Sequence, residues 1–441
     1  MTSDTTTETY AAASPRRIVA LALPALVVLL AEPLYVLVDT AVVGHLGPTP
    51  LAAVAIGGTV MSLAAWLGTV VAYGTTGRSA RNFGAGDRAA AVAEGVQATW
   101  LALAVGLVLT LSLQLVAGPL THALADSAET AEAAATWLRI AALGVPGLLL
   151  AAAGNGWLRG VQDTRRPLRY VLGANLASAL LCPVLVYPLG LGLPGSAIAN
   201  VLAQTASGLL FVQALVRERV SLRPRPAVII RHLVVGRELL VRGAAFQASY
   251  LAATATAARF GTDTVAAHQI AVQLWFFTAL ALDAVAIAAQ SLIGAALGAG
   301  DAVGARTVAR RVALIGGACG VGFAVLLAAG VGWVPSWFTS TPAVRAEAQV
   351  AWPWLVAMQP LAGVVFALDG VLIGAGDVRF LRNLTVGAAF GVFLPTIGVA
   401  AVGHLGLGGI WAGFALFVVA RLIGVLARLR SGRWVVVGPA R

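Results

Sequence analysis

The chain has 441 residues, of which 59% are hydrophobic and only 11% are charged. A soluble protein carries about a quarter charged residues, so this composition excludes a soluble globular class. Apolar runs of about 20 residues, each long enough to cross a bilayer, recur along the chain and predict a polytopic α-helical membrane protein. The formal net charge of +11 comes from arginines that cluster in alternate loops. This pattern disfavours a nucleic-acid partner, indicates membrane lipids instead, and predicts that both termini are cytoplasmic.

Hydropathy and loop charge predict twelve spans, six in each half of the chain. A polar cytoplasmic tail (1–14), with no basic segment typical of a cleavable signal, precedes an N-terminal lobe (15–216). A basic linker (217–231), a C-terminal lobe (232–430) and a basic cytoplasmic tail (431–441) follow. The spans are predicted near 17–43, 51–76, 94–117, 133–154, 168–189, 195–216, 232–258, 265–290, 306–330, 346–368, 381–402 and 407–428.

The two halves resemble each other at a constant offset of 214 residues. Gly47 pairs with Gly261, Pro146 pairs with Pro360, and the sequence GAGD occurs both at 84–87 and at 298–301. Six spans per half is an even number, so the repeats are parallel and related by a pseudo-two-fold axis along the membrane normal. This predicts an all-α, V-shaped, two-lobed transporter that works by alternating access, although the plan does not exclude a channel.

Two carboxylates lie in the otherwise apolar first span. Glu32 and Asp39 are seven residues apart, which predicts that they share one helix face about 10 Å apart along the axis. An ionisable group within a span is by default a hypothesis of function, here proton coupling, whereas the alternative is a structural pair or helix cap. Ser178, Cys182 and Asn200 are expected at a depth similar to that of Asp39. Two prolines of the same span, Pro24 and Pro33, favour a kink that could act as a hinge.

The second half has no acid at the matching positions, because Glu32 pairs with Phe246 and Asp39 with Ala253. Its own intramembrane acids, Asp283 and Asp369, are expected to form structural ion pairs with arginines of nearby loops, with coupling as the alternative. Polar and aromatic side chains of the seventh and eighth spans suit either a pocket for an amphipathic ligand or contacts between helices. They are Gln247, Tyr250, Thr254, Gln273 and Trp275.

Other chemistry is disfavoured by the pattern of reactive residues. The GAGD sequences follow spans and lack a Walker lysine, so a phosphate-binding loop is not expected. The five histidines are scattered, and the two cysteines, Cys182 and Cys319, lie within predicted spans, so neither a metal site nor a disulfide is expected. No cofactor is predicted, and the energy source is expected to be an ion gradient.

Several segments resemble the multidrug and toxic compound extrusion (MATE) family. They include LALPALVVLLAEPLYVLVDTAVVGHLG, GWLRGVQDTRRPL and LGLGLPGSAIANVLAQ, while ALDAVAIAAQSLIGAALGAGD and LDGVLIGAGD resemble its DinF-type branch. The resemblance implies a twelve-helix antiporter that exports organic compounds, often cationic and amphipathic, in exchange for protons or sodium. It further implies that Asp39 is the first-helix proton site, that Pro24 is the proline at which this helix bends, and that Asn200 is a polar member of the site.

Two departures from the family pattern bear on the driving ion. Ser178 and Cys182 replace the usual fifth-span asparagine and aspartate, so Asp39 would act alone or with Glu32. Phe246 stands near the seventh-span glutamate of the sodium-linked branch, which makes protons the better expectation. The leading hypothesis is a proton-coupled exporter of small organic molecules in the plasma membrane, for which a monomer suffices. The alternatives are a lipid-linked sugar flippase, disfavoured because the arginines are expected at loops, and a membrane-embedded enzyme.

Overall fold

The apolar runs form α-helices, the secondary structure in which a single chain segment satisfies its own backbone hydrogen bonds in lipid. The computed structural model describes residues 14–439, and no β-strand occurs within that range. Most of the tail predicted for 1–14, and residues 440–441 of the C-terminal tail, lie outside it. The helices of the first half are α1 (Pro15–Gly44), α2 (Pro48–Gly84), α3 (Arg88–Leu124), α4 (Ala128–Ala142), α5 (Val145–Gly160), α6 (Arg165–Val186) and α7 (Leu193–Arg217).

The second half repeats this plan with two local differences. A five-residue helix, α11, follows the third span of this half, and a single π-helical segment, Ala389–Phe393, interrupts the fifth. The helices are α8 (Pro226–Phe260), α9 (Thr262–Gly298), α10 (Ala302–Gly330), α11 (Val334–Phe338), α12 (Pro342–Gly374), α13 (Val378–Ala388), α14 (Leu394–Val402) and α15 (Gly406–Arg430).

Twelve helical segments correspond to the twelve predicted spans. Ten are long and apolar enough to cross a membrane, with α13, the π-helical segment and α14 counted as one. An eleventh consists of α4 and α5, which are bent by 46° relative to each other. The twelfth is α8, whose 35 residues are interrupted by polar and charged side chains. The prediction of an all-α, twelve-helix membrane protein is confirmed.

The helices pack into two units. The N-terminal unit comprises Pro24–Gly236, and the C-terminal unit comprises Arg237–Pro439 together with the described residues up to Leu23. The unit boundaries therefore fall inside α1 and α8. The C-terminal unit has one large apolar core that includes the fully buried Trp352 and Trp411. The N-terminal unit has several smaller cores, two of which surround Trp137 and Trp157.

The duplicated GAGD sequences form the same helix junction in both units. Gly86 and Gly300 have φ angles of 84° and 78°, a left-handed conformation that glycine adopts without a Cβ clash. The following aspartates cap the next helix, because Asp87 accepts from the Ala90 amide and Asp301 from the Gly304 amide, both at 2.7 Å. The sequence repeat is thus also a repeat of local structure.

Candidate functional site

The buried stripe of α1 holds Asp39 within the N-terminal unit. Ala31, Tyr35, Asp39 and Val43 follow one another at intervals of four residues, and each is at most 5% exposed. Four residues advance slightly more than one helical turn, so these side chains form a continuous face against the rest of the unit. The Asp39 carboxylate is therefore removed from the surface and depends on its neighbours for hydrogen bonds.

Two donors from other helices reach the same oxygen of Asp39. The Ser196 hydroxyl donates to Asp39 Oδ1 at 2.7 Å, and the Cys182 thiol donates to it at 3.2 Å. Cys182 lies in α6, and Ser196 lies in the first turn of α7. The backbones of these helices approach closely at Gly195, where an added Cβ would lie 2.9 Å from the Leu185 carbonyl carbon. The α6–α7 junction thereby brings both donors to α1.

Three more polar atoms of this site have no hydrogen-bond partner. The Tyr35 hydroxyl lies beside the side chains of Ser178 and Asn200. Tyr35 Oη, Ser178 Oγ and Asn200 Oδ1 are buried without a well-formed hydrogen bond. A buried polar group without a partner costs about 1–3 kcal/mol, so this arrangement favours entry of a water molecule or another small molecule that donates and accepts hydrogen bonds.

Glu32 and Asp39 lie about 20° apart around the continuous helix α1, as their spacing predicts, but only Asp39 is buried. The Glu32 side chain is exposed, whereas Asp39 is 5% exposed. From Ala31 to Val43, successive buried residues of α1 are four residues apart. Each such step turns 40° beyond a full turn, so the stripe rotates around the helix and leaves Glu32 outside it. The N-terminal site therefore contains one carboxylate.

The two prolines of α1 lie within a continuous helix that runs from Pro15 to Gly44. Pro24 is the first residue of the N-terminal unit, and Pro33 is exposed one residue after Glu32. Each proline removes one backbone hydrogen bond from the helix. The weakened turn at Pro24 therefore coincides with the point at which α1 passes from one unit to the other.

A second buried acid, Asp369 of α12, lies between two arginines in the C-terminal unit. Arg242 of α8 and Arg421 of α15 both donate through Nη2 to Asp369 Oδ2. The three side chains are only 12%, 4% and 8% exposed, for Arg242, Arg421 and Asp369 respectively. The predicted ion pair at Asp369 exists, but the prediction that its partners come from loops is wrong. Both arginines lie within helices, where loop-based charge counting does not place them.

Aromatic rings cover the guanidinium groups of this cluster. The Cζ atom of Arg421 lies 4.8 Å from the Phe246 ring centroid and 5.7 Å from that of Phe417. The Cζ atom of Arg242 lies 5.5 Å from the same Phe246 centroid. Ring faces attract cations and so compensate part of the lost hydration. Phe246 thus occupies the position paired with Glu32 in the repeat and contacts two cations.

The remaining residues predicted for a pocket are only partly brought together. The Trp275 indole donates to the Tyr250 hydroxyl at 2.7 Å, and Tyr250 also packs against Phe414 with centroids 5.5 Å apart. Gln247 and Gln273 are exposed, whereas Thr254 is half-buried. Asp283 is half-buried and has an interaction partner. These positions contribute an aromatic group at Tyr250 and Trp275, not one continuous polar pocket.

Sequence reasoning missed several residues of these sites. The missing N-terminal members are Tyr35 and Ser196, and the missing C-terminal members are Arg242 and Arg421. It also missed Glu94, which pairs with Arg78 at 2.8 Å and with His232 at 3.0 Å inside the N-terminal unit. The sequence could have indicated Tyr35, because it lies four residues before Asp39 and therefore on the same face of the helix. Among the described residues, no group of three or more His, Cys, Asp or Glu side chains could hold a metal ion.

Comparison with known proteins identifies relatives along most of the chain. The family model described as MatE matches residues 24–184 and 239–397, one segment in each half. Protein DETOXIFICATION 44, chloroplastic, of Arabidopsis thaliana is 32% identical over 439 residues, covering 95% of this chain and 83% of the relative. DNA damage-inducible protein F of Escherichia coli strain K12 is 30% identical, covering 94% and 92% of the two chains.

Solved structures share the fold at lower sequence identity. A multidrug resistance MATE family transporter of the MOP superfamily, solved in an outward-facing conformation, superposes with a TM-score of 0.87. It is 22% identical to this chain, and the alignment covers 98% of this chain and 100% of the other. At that identity the similarity supports the twelve-helix fold alone.

Proposed function

Since the chain belongs to the MATE family of membrane transporters, we propose that it is a proton-coupled antiporter that exports small organic compounds by alternating access. The transport class follows from family membership and excludes the membrane-embedded enzyme considered from the sequence. The proposed membrane is the plasma membrane, with both termini cytoplasmic according to the arginine distribution. The proposed cargo is amphipathic, and the cationic compounds that the family resemblance implies are the first set to test.

The observation that supports proton coupling is the environment of Asp39. An ionisable side chain in a span is costly and marks ion or proton pathways. Here the carboxylate accepts hydrogen bonds from Ser196 and Cys182, and a buried acceptor without a donor, Asn200 Oδ1, lies beside Tyr35 in the same site. Protonation converts a carboxylate that only accepts hydrogen bonds into a carboxylic acid that also donates one. The site can therefore respond to a proton by exchanging hydrogen-bond partners.

The same residues favour a proton over sodium as the driving ion. Hard cations bind to oxygen ligands, whereas a thiol is a soft ligand. Asp39 supplies the single carboxylate of the site, and the Cys182 thiol takes one of the positions against it. External protons would neutralise Asp39 and favour the inward-facing return. Cargo entering from the cytoplasmic side would then favour release of the proton and outward transport.

The decisive experiment is extrusion of a fluorescent amphipathic dye from proteoliposomes under an imposed pH gradient. Asp39→Asn keeps the shape of the side chain but removes its proton exchange, so gradient-driven extrusion should be lost while the protein remains folded. Asp126→Asn is the matched control, because Asp126 is an exposed aspartate between α3 and α4. A folded Asp39→Asn variant that transports with native gradient dependence would refute the proposed coupling.

A further inference from the structure

Two arginines share one aspartate inside the C-terminal unit, which leaves a formal excess of one positive charge. Arg242 and Arg421 both donate to Asp369 Oδ2, and within residues 14–439 neither has a second carboxylate partner. The other buried acid nearby in sequence, Glu238, pairs with Arg237 and Arg382 instead. Burying an uncompensated charge is unfavourable unless a partner arrives. The cluster is therefore short of one negative charge.

The hydrogen-bonding capacity of the cluster is also incomplete. The Nε atoms of Arg242 and Arg421 are buried without an acceptor, and Asp369 Oδ1 is buried without a donor. A guanidinium presents its donors in a planar fork that fits a carboxylate or phosphate through two parallel hydrogen bonds. Each guanidinium donates to Asp369 through Nη2, and its buried Nε–H remains an unused donor that a second anionic group could engage.

We infer that Arg242 and Arg421 form a binding site for one monovalent anionic group, the carboxylate of an organic molecule. One such group would neutralise the cluster and supply acceptors to the two unused Nε–H donors. The inference rests on the proposed transport function and deepens it, because the amphipathic cargo would carry an anionic group, in contrast to the cationic compounds that the family resemblance implies. The same chemistry could be presented by the phosphate of a lipid, and the experiment below separates the two sources.

The depth of the site fits a compound that enters from the cytoplasm. Asp369 lies five residues before the end of α12, and Arg421 lies nine residues before the end of α15. At 1.5 Å per residue, these positions are about 7 Å and about 13 Å from the helix ends. In the proposed orientation both ends are cytoplasmic. An anion would therefore meet this site in the inner half of the membrane.

The test uses the purified full-length protein in detergent and follows its thermal unfolding midpoint at constant ionic strength. A ligand that binds the folded state raises this midpoint with concentration. Benzoate, benzamide and benzylammonium have similar shapes but differ in charge, so they isolate the effect of the anionic group. Short-chain phosphatidate represents the lipid source. Stabilisation by benzoate, but not by the neutral or cationic analogue, is the expected result.

Variants of the cluster should change benzoate affinity in opposite directions. Arg421→Gln or Arg242→Gln should weaken it at least about tenfold, because a charge-assisted hydrogen bond is lost. Asp369→Asn should strengthen it about tenfold, because the internal competitor loses its charge while both guanidiniums remain. Arg428→Gln is the matched control, because Arg428 forms a separate pair with Asp377 at 2.6 Å. It should leave benzoate affinity unchanged.

Either of two results would overturn the inference. In the first, benzoate is not distinguished by its charge. Either the three aromatic analogues stabilise the native protein equally, or phosphatidate alone stabilises it, and the latter would assign the site to lipid. In the second, Asp369→Asn weakens benzoate binding as the arginine variants do, which a purely structural ion cluster predicts. Benzoate affinity of Asp369→Asn distinguishes an anion site from a structural ion cluster even if an arginine variant fails to fold. Because binding is measured without a gradient, these outcomes are independent of the Asp39 transport assay.

Discussion

The buried carboxylates Asp39 and Asp369 differ in the charge of the groups that contact them. Asp39 is surrounded by neutral donors, a hydroxyl and a thiol, whereas Asp369 is held by two cations. A carboxylate with neutral neighbours can lose its charge without breaking an ion pair. A carboxylate between two arginines cannot, because protonation would leave both guanidiniums without a counter-ion. This contrast supports the proposals of proton exchange at Asp39 and of anion binding by the arginines around Asp369.

At the membrane surface, Glu218 offers a pH-dependent test at a single residue. It follows α7 and accepts hydrogen bonds from Arg88 Nε at 3.1 Å and Arg88 Nη2 at 2.9 Å. These bonds hold the pKa of Glu218 below its usual value of 4.5. A carboxyl group with a lowered folded-state pKa stabilises the fold above its unfolded pKa, and this contribution is lost as pH falls through the folded-state value.

We therefore expect Glu218→Gln to lower the unfolding midpoint at pH 7 and to lower it less at pH 3, below the unfolded-state pKa. Arg88 is half exposed, so the difference should correspond to about 1 kcal/mol or less. Thermal unfolding of both proteins in detergent between pH 7 and pH 3 measures it. Glu132→Gln, at an exposed acid of α4, is the control. A difference that stays constant down to pH 3 would contradict the role of the Glu218–Arg88 interaction.

At the scale of the helices, glycines set the distance between α10 and α12. A Cβ placed on Gly363 would overlap the Gly316 carbonyl, and one placed on Gly320 would overlap the Gln359 carbonyl. Small residues that let backbones approach closely are a main source of helix association in lipid. The packing of this pair is therefore fixed by backbone contact and cannot relax by turning a side chain.

Gly363→Ala should accordingly destabilise the C-terminal unit by about 1–3 kcal/mol, the usual cost of overpacking. The matched control is Gly322→Ala in α10, because a Cβ at Gly322 meets nothing within 4 Å. Urea or thermal unfolding in detergent, monitored by tryptophan fluorescence, compares the two variants with the native protein. Equal stability of the two variants would show that the α10–α12 approach does not limit stability.

The sequence predicts the helices better than it predicts their irregularities. Length and apolarity identify most of the spans, because a helix satisfies its own backbone in lipid, and loop charge adds the more polar α8. They do not show the 46° bend between α4 and α5 or the π-helical segment Ala389–Phe393. Both lie beside prolines, Pro146 and Pro395, which lack the N–H that a regular helix requires. Hydropathy treats these positions as ordinary apolar residues.

The sequence predicts the depth of the site residues in the membrane, but it does not predict which residues of other helices contact them. The spacing of Ser178 and Cys182 places both on one face of α6, and Cys182 does contact Asp39. Residue spacing within one helix does not reveal which helices are adjacent. Ser196 reaches Asp39 only because α7 packs against α6, and Arg421 reaches Asp369 only because α15 packs against α12. Such partners are 52 to 157 residues apart in sequence.

Across the whole molecule, the duplicated halves have diverged in their buried chemistry. At the offset of 214 residues, Asp39 pairs with Ala253 and Asn200 pairs with Phe414. In the opposite direction, Arg421 pairs with Ser207 and Asp369 pairs with Asn155. Each half keeps its charged group where the other half has a neutral residue. The duplication thus supplies two similar scaffolds, of which one carries an acid site and the other a cationic site.

This divergence predicts that proton coupling and cargo affinity are separable by mutation. In transport of a benzoate-like aromatic carboxylate, Arg421→Gln should raise the half-saturating concentration at least about tenfold, because a charge-assisted bond to the cargo is lost. Its rate should still depend on the pH gradient, because Asp39 is intact. Asp39→Asn should lose the gradient dependence, while exchange of labelled for unlabelled cargo, which requires no gradient, should continue.

Both readouts come from one proteoliposome preparation, with uptake measured across cargo concentrations with and without a gradient. If Arg421→Gln also abolished gradient dependence, the arginine cluster would belong to the proton pathway itself. If Asp39→Asn left gradient dependence intact and Arg421→Gln removed it, the roles of the two units would be reversed. Only a loss of gradient dependence in one variant, and of cargo affinity in the other, fits a protein in which duplication separated the two tasks.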